Sequence, residues 1–139
     1  MVMPKLFRLP CRNCEKPVDR PEKKYCNPEC QHEYEFKEYI QDWKNGKSSG
    51  NKADGIVSNF VKKYLFIKYD NKCCKCSWSM VNEFTRKIPL EVHHIDGDYK
   101  NSSENNLQLL CPNCHSLTKS YGGANKGKGR PYRYNVGWC

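Results

Sequence analysis

The sequence predicts a small α+β protein whose fold depends on more than a hydrophobic core. Hydrophobic residues make up 37% of the 139 residues, too few for apolar burial alone to offset the chain entropy of small folding units. Most of the ten cysteines are separated from another cysteine by two or three intervening residues, which is the spacing of zinc knuckles. Helical periodicity also gives way to short alternating segments typical of strands. We therefore expect a zinc-stabilised fold.

The cysteines are expected to bind zinc because nothing indicates secretion. The opening stretch "MVMPKLFRLPCRNC" is broken by Pro4, Arg8 and Pro10 and contains no apolar run of signal-peptide length. No stretch approaches the length of a transmembrane helix. We expect an intracellular protein without membrane contact, and in a reducing compartment paired cysteines favour zinc over disulfides.

Residues 1–45 are predicted to form a zinc finger followed by a helix. The C-x2-C-x11-C-x3-C pattern can close a tetrahedral thiolate site. Asn27 suits the N-cap of the helix, and Pro28 suits its first position. Apolar residues recur at helical spacing from Phe36 to Trp43. The expected zinc ligands are Cys11, Cys14, Cys26 and Cys30.

The next segment is predicted to be a linker and then a second helix. Residues 46–55, "GKSSGNKADG", have the Gly, Ser and Lys content of a flexible linker. From Ile56 to Leu65 the apolar residues fall on one helical face, and Lys62 and Lys63 lie on another. A core-facing helix with a solvated basic side is favoured over a recognition helix.

A second set of four cysteines predicts another structural zinc site. Its C-x2-C-x34-C-x2-C spacing is a strong signal, and such a site can contribute on the order of 10–16 kcal/mol of coupled binding and folding. Cys74 and Cys139 are left as a small hydrophobe and a free thiol. The four expected ligands are Cys73, Cys76, Cys111 and Cys114.

Between these cysteine pairs the sequence predicts a strand, a turn, a second strand and a helix. The strands are expected at residues 88–95 and 107–110, and the helix from Pro112. His93 and His94 would point to opposite faces of a regular strand. The "DGD" turn that follows permits a bend, so both can reach His115 at the start of the facing helix.

The segments "VHHIDGD" and "NNLQLLCPNCHSL", flanked by C-x2-C pairs, resemble the HNH endonuclease family. The resemblance covers about residues 72–118 and implies a treble-clef-like ββα-metal core that hydrolyses DNA phosphodiester bonds. The trailing "GGANKGKGR" is similar to the basic tails of bacteriophage-encoded members, which would act inside a host cell, in its cytoplasm or nucleoid. The N-terminal finger lies outside the family's core.

The resemblance implies a role for each polar residue of the motif. His94 resembles the general base that deprotonates the attacking water. His93 and His115 resemble the ligands of one divalent metal, usually Mg2+ or Mn2+. Asn106 resembles the asparagine that organises the loop and orients the base. Many members have Asp where His93 stands, and histidine favours softer ions such as Mn2+, Ni2+ or Zn2+.

The expected partner is double-stranded DNA. The chain has 24 basic and 15 acidic residues, a formal charge of +9, and no acidic residue from position 105 to its end. We predict an HNH nuclease domain at 56–121 and a basic, flexible tail at 122–139, with a solvated solubility tail as the alternative. The expected DNA-binding residues are Lys62, Lys63, Lys119, Lys126, Lys128, Arg130 and Arg133.

Several alternatives stay open. His93 or His115 could be spare zinc ligands, and the carboxylates of Glu91, Asp96 and Asp98 could bind metal, although solvated carboxylates are favoured. The rival functions are a non-catalytic zinc-finger DNA-binding or adaptor protein and a zinc-ribbon protein that binds RNA. The sequence specifies neither the target site, the oligomeric state nor a role in homing, restriction, packaging or repair.

Overall fold

The computed structural model describes residues 8–125 and residue 127. Contacts divide the chain into two compact units, Met1–Gln41 and Asp42–Cys139. The helices are α1 (Pro28–Lys44), α2 (Asn59–Lys68) and α3 (Pro112–Ser116), the strands are β1 (Glu91–His94) and β2 (Leu107–Leu110), and 3₁₀-helical turns lie at Glu104–Asn106 and Gly122–Asn125. The small α+β fold class is confirmed. Among the described residues, no helix combines the length and the apolar character needed to cross a membrane.

The first unit is organised by its cysteines and by the start of α1. The side-chain oxygen of Asn27 accepts a hydrogen bond from the backbone N–H of Cys30 at 2.7 Å, and Pro28 occupies the first helical position, as the sequence predicts. Cys11 and Val18 are buried, each 1% exposed. One member of the cysteine cluster, Cys11, is thus part of the core of this unit.

The second unit begins inside the last turn of α1, at Asp42. Trp43 is buried there, and its indole N–H donates to the backbone oxygen of Ser102 at 2.7 Å. Gly50 lies against this indole with φ +79°, and its carbonyl accepts from the N–H of Ser58. The segment at 46–55 has linker composition, yet the structure ties it to the second unit by backbone hydrogen bonds.

Helix α2 begins later than the sequence pattern predicts. Ser58 is its N-cap, and the hydroxyl accepts from the N–H of Val61 at 3.2 Å. The predicted start at Ile56 was wrong because apolar periodicity continues through the residues before the cap. Val61 and Leu65 on one face of α2 are fully buried, which confirms that this face packs into the core.

The two strands form an antiparallel pair that sets the register of the histidines. His93 pairs with Gln108, and His94 pairs with Leu107. β2 has the predicted bounds, whereas β1 is shorter than the predicted 88–95 because only four residues of β2 are there to pair with it. Helix α3 follows β2 directly, with the Cys111 sulfur accepting from the N–H of Cys114 at its start.

Candidate active site

Both predicted cysteine sets come together in the structure. In each set the four sulfur atoms lie within 4.8 Å of one another. The Sγ distances include 3.6 Å for Cys14 and Cys26 and 3.7 Å for Cys76 and Cys111. Four sulfurs at about 2.3 Å from a tetrahedral zinc are about 3.8 Å apart, so both clusters could hold Zn2+. Their members are Cys11, Cys14, Cys26 and Cys30, and Cys73, Cys76, Cys111 and Cys114.

Each cluster contains one thiol that ionises easily. Burial raises the pKa of Cys11, but backbone N–H groups of Cys14, Cys26 and Asn13 outweigh it and lower the pKa to about 6. In the second cluster, burial likewise raises the pKa of Cys73, but hydrogen bonds from the backbone N–H groups of Cys111, Cys76 and Lys75 outweigh this effect and lower the pKa to about 6. The thiolate is the form that binds metal, so Cys11 and Cys73 suit zinc near neutral pH. Hydrogen bonds with neighbouring cysteines raise the pKa of Cys26 and of Cys114 to about 12, so zinc binding must displace protons from these thiols. Cys74 is exposed, and Cys139 lies outside the described residues.

All three histidines of the motif line one cleft of about 370 Å³ in the second unit. His93 lies in β1 and is only 6% exposed, and its ring centroid is 5.4 Å from that of His115 in α3. His94 faces the same cleft because it is the last residue of β1 and the chain turns at Gly97, which has φ +77°. The end of the strand therefore lets two adjacent side chains share one cleft.

The surroundings of His93 and His115 suit metal binding by neutral imidazoles. Burial first, and then the nearby His115, Lys75 and His94, lower the pKa of His93. Nδ1 of His115 lies 2.5 Å from a carboxylate oxygen of Glu91. A carboxylate at one ring nitrogen fixes the proton there and leaves the lone pair on the other nitrogen. Glu91, an alternative metal ligand in the sequence, is thus placed as the partner of His115.

Asn106 holds the loop between the strands. Its amide nitrogen donates to the Asp96 carboxylate at 2.8 Å and to the backbone oxygen of Asn101 at 2.7 Å. Its amide oxygen accepts from the N–H of Asp96 at 3.0 Å. Burial raises the pKa of Asp96, but hydrogen bonds from the amides of Asn101 and Asn106 outweigh it, so the pKa is lowered. The alternative of Asp96 as a metal ligand loses support, since both carboxylate oxygens already accept hydrogen bonds.

His94 has a partner that the sequence did not indicate. Its Nε2 lies 3.0 Å from the hydroxyl oxygen of Ser102, and that hydroxyl donates to the side-chain oxygen of Asn51 at 2.6 Å. Asn51 and Ser102 are 51 residues apart, and neither stands in a motif. No spacing or composition signal connects them to His94, because their contact exists only in the folded chain.

The structure places one predicted DNA-binding lysine at the cleft. Lys62 of α2 lines it, while Lys63 and Lys119 are exposed. The cations Lys126, Lys128, Arg130 and Arg133 lie outside the described residues. Asp98 accepts from the backbone N–H of Lys100 within the turn, and His32 is exposed on α1.

Residues 73–120 match the model of the HNH endonuclease family. The match covers 48 of the chain's 139 residues and lies within the second unit. The relative "H-N-H endonuclease F-TflIV" of Escherichia phage T5 is 44% identical over 73 residues, which cover 52% of this chain and 32% of that protein. The chain therefore spans about a third of the length of the relative it matches. No solved structure gives a significant match.

The HNH match includes the second cysteine cluster and the four motif residues, His93, His94, Asn106 and His115. It includes neither the first cysteine cluster nor Asn51, which lies before its first residue. The site in the structure thus extends beyond the segment that matches the HNH family model.

Proposed function

We propose that the protein is a metal-dependent HNH endonuclease that hydrolyses phosphodiester bonds of double-stranded DNA. The observation that carries this proposal is the convergence of His93, His94 and His115 on one cleft, inside the segment that matches the family. The relative from phage T5 is itself named an endonuclease and supports an intracellular site of action in a host cell. A purely structural finger would have no use for three imidazoles beyond its four cysteines.

Each side chain has a distinct role in this proposal. His94 takes the proton from the attacking water, since imidazole is the side chain most often used as a general base. His93 and His115 would hold one divalent ion, which would supply Lewis acidity for phosphodiester hydrolysis. Each cysteine cluster offers four ligands, whereas these two imidazoles would leave coordination positions open for water or substrate, as a catalytic metal requires. Nitrogen donors favour Mn2+, Ni2+ or Zn2+ over Mg2+.

The remaining residues support substrate binding and folding. Lys62 lies where a phosphate in the cleft would meet it. The acid-free run from residue 105 onward provides the positive charge that draws a protein onto DNA. The two cysteine clusters bind structural Zn2+, which holds β1 beside α3 in the second unit and builds the first unit.

Supercoiled plasmid tests the proposal directly. The zinc-loaded chain is incubated with EDTA, Mg2+, Mn2+ or Ni2+, alongside the His94→Ala variant and His32→Ala, a control histidine exposed on α1. We expect nicked circles with a divalent ion, loss of cleavage in EDTA, and a rate about 10²–10⁴-fold lower for His94→Ala only. Linear product at early times would indicate paired active sites.

The alternative, a non-catalytic zinc-finger DNA-binding or adaptor protein, makes the opposite prediction. It requires salt-sensitive plasmid binding with no strand scission in any divalent ion. Equal cleavage by His94→Ala and wild type would refute the assignment of the base, even if the protein cuts DNA.

A further inference from the structure

A chain of hydrogen bonds starts outside the HNH match and ends on His94. We propose that Asn51 and Ser102 are positioning residues that hold His94 in the tautomer with its proton on Nε2. Nδ1 is then the nitrogen that accepts the proton from water. The inference rests on the proposed function for the role of His94, but the tautomer follows from hydrogen-bond geometry alone.

The orientation of the Asn51 amide is the first step. Its nitrogen lies 3.3 Å from the backbone oxygen of Tyr99 and 3.4 Å from that of Lys100. Carbonyl oxygens only accept hydrogen bonds, so the NH2 group must face them. The amide oxygen of Asn51 therefore points to the other side, towards Ser102.

The proton of the Ser102 hydroxyl is the second step. The hydroxyl oxygen lies 2.6 Å from the amide oxygen of Asn51. Because an amide oxygen has no proton to give, Ser102 must be the donor. A serine has one hydroxyl proton, so this contact uses it.

The proton of His94 is the third step. With its own proton directed at Asn51, the Ser102 oxygen can offer only lone pairs to Nε2 of His94, 3.0 Å away. Nε2 must then carry a hydrogen. A neutral imidazole has only one N–H, so the lone pair lies on Nδ1.

Ser102 is held firmly enough to impose this choice. It is 1% exposed, and its carbonyl accepts from the indole of Trp43. The backbone of Asn51 is bridged to that of Val57. The segment from Trp43 to Val57 thus completes the site from outside the HNH match. The opposite tautomer would present an N–H where the reaction needs a base.

The tautomer can be measured without any cleavage assay. We would record the imidazole ¹⁵N signals of the full-length, zinc-loaded protein at about pH 9, where histidines are neutral, and identify His94 by comparison with His94→Gln. We expect the Nε2–H form in the wild type. In Asn51→Ala the serine proton loses its acceptor and can turn to His94, which shifts the population towards Nδ1–H. An Nδ1–H tautomer in the wild type would overturn the inference.

Cleavage kinetics test the consequence. Ser102→Ala and Asn51→Ala should each lower kcat about 10- to 100-fold, as loss of a residue that orients a catalytic group typically does, with KM unchanged. The double variant should be no slower than Ser102→Ala, because both residues act through one hydrogen-bond chain. Ser103→Ala and Asn45→Ala, exposed residues of the same types, should retain wild-type kcat.

The outcomes separate the two proposals. Full kcat in Ser102→Ala and Asn51→Ala, with zinc content and melting temperature like those of the wild type, would refute the positioning role while the nuclease stands. Absence of cleavage by the wild type with every ion would refute the nuclease, and the ¹⁵N spectrum would still decide the tautomer. If a variant fails to fold, the wild-type spectrum decides alone.

Discussion

Replacing Gly50 with alanine should destabilise the second unit through the Trp43 anchor. Gly50 has φ +79°, and an added Cβ would lie 2.6 Å from Nε1 of Trp43 and 3.1 Å from the backbone oxygen of Ser102. Real Cβ atoms do not approach other atoms so closely, so the indole must move. Its hydrogen bond to Ser102 would then be lost.

The expected cost combines three effects. The left-handed backbone costs an alanine about 1–2 kcal/mol. Forcing extra volume against a buried ring costs about 1–3 kcal/mol, and leaving the buried Trp43 and Ser102 groups without their hydrogen bond costs about 1–3 kcal/mol. Because these costs overlap, we expect about 3–5 kcal/mol in total. For a unit of this size that lowers Tm by more than about 12 °C.

Gly46→Ala is the matched control. Gly46 has φ +77°, but nothing lies within 4 Å of its added Cβ. It should lose only the backbone cost, about 1–2 kcal/mol. Thermal unfolding of the zinc-loaded variants, followed by circular dichroism, gives both values. Equal decreases in Tm for Gly50→Ala and Gly46→Ala would show that residues 46–55 act as a linker and that the contact of Gly50 with Trp43 does not stabilise the second unit.

Three further outcomes are expected. Cys73→Ser should reduce bound zinc from two ions to one per chain and unfold the second unit, because the free energy of binding a structural zinc is about as large as the stability of a whole domain. If atomic emission still measures two zinc ions per chain, Cys73 is not a ligand. Glu104→Gln should cost about 1 kcal/mol at pH 7, since Glu104 is bound by the hydroxyl of Tyr64 and by Lys68 at 3.2 Å. The hydrogen bond from Tyr64 lowers the pKa of Glu104; burial opposes this shift and Lys68 adds to it. The stabilisation by Glu104 is therefore complete above the ordinary carboxyl pKa and is lost as the pH falls through the lower pKa of the folded state. A Tm difference between Glu104→Gln and wild type that persists at about pH 2 would contradict this role of Glu104. Lys62→Ala should weaken plasmid binding and reduce the salt slope by about 1, whereas exposed Lys52→Ala should not, as fluorescence anisotropy at several salt concentrations would show.

Local signals predicted much of the fold. Cysteine spacing identified both clusters, and the Asn27–Pro28 pair marked the start of α1. The predicted bounds of β2 agree with the structure. In each case the deciding residues are close in sequence, so the pattern contains the information.

The parts that could not be predicted depend on distant contacts. Trp43 looked like the last member of the apolar stripe of α1, but it is buried in the second unit against Gly50. Asn51 has the sequence neighbours of a linker, and only its contact with Ser102 gives it a place at the site. Composition describes a segment's average character and cannot reveal which buried group it meets.

The pairing of β1 with β2 has a consequence for when the protein can act. Sliding the strands by one residue would exchange the faces on which His93 and His94 lie, and the register ends at Leu110, next to Cys111 of the second cluster. Zinc bound at that cluster would therefore fix which histidine meets His115. In the proposed nuclease, a chain without zinc at this cluster would contain His93, His94 and His115 but lack the arrangement that cleavage requires. Binding of zinc would then have to precede the proposed DNA cleavage.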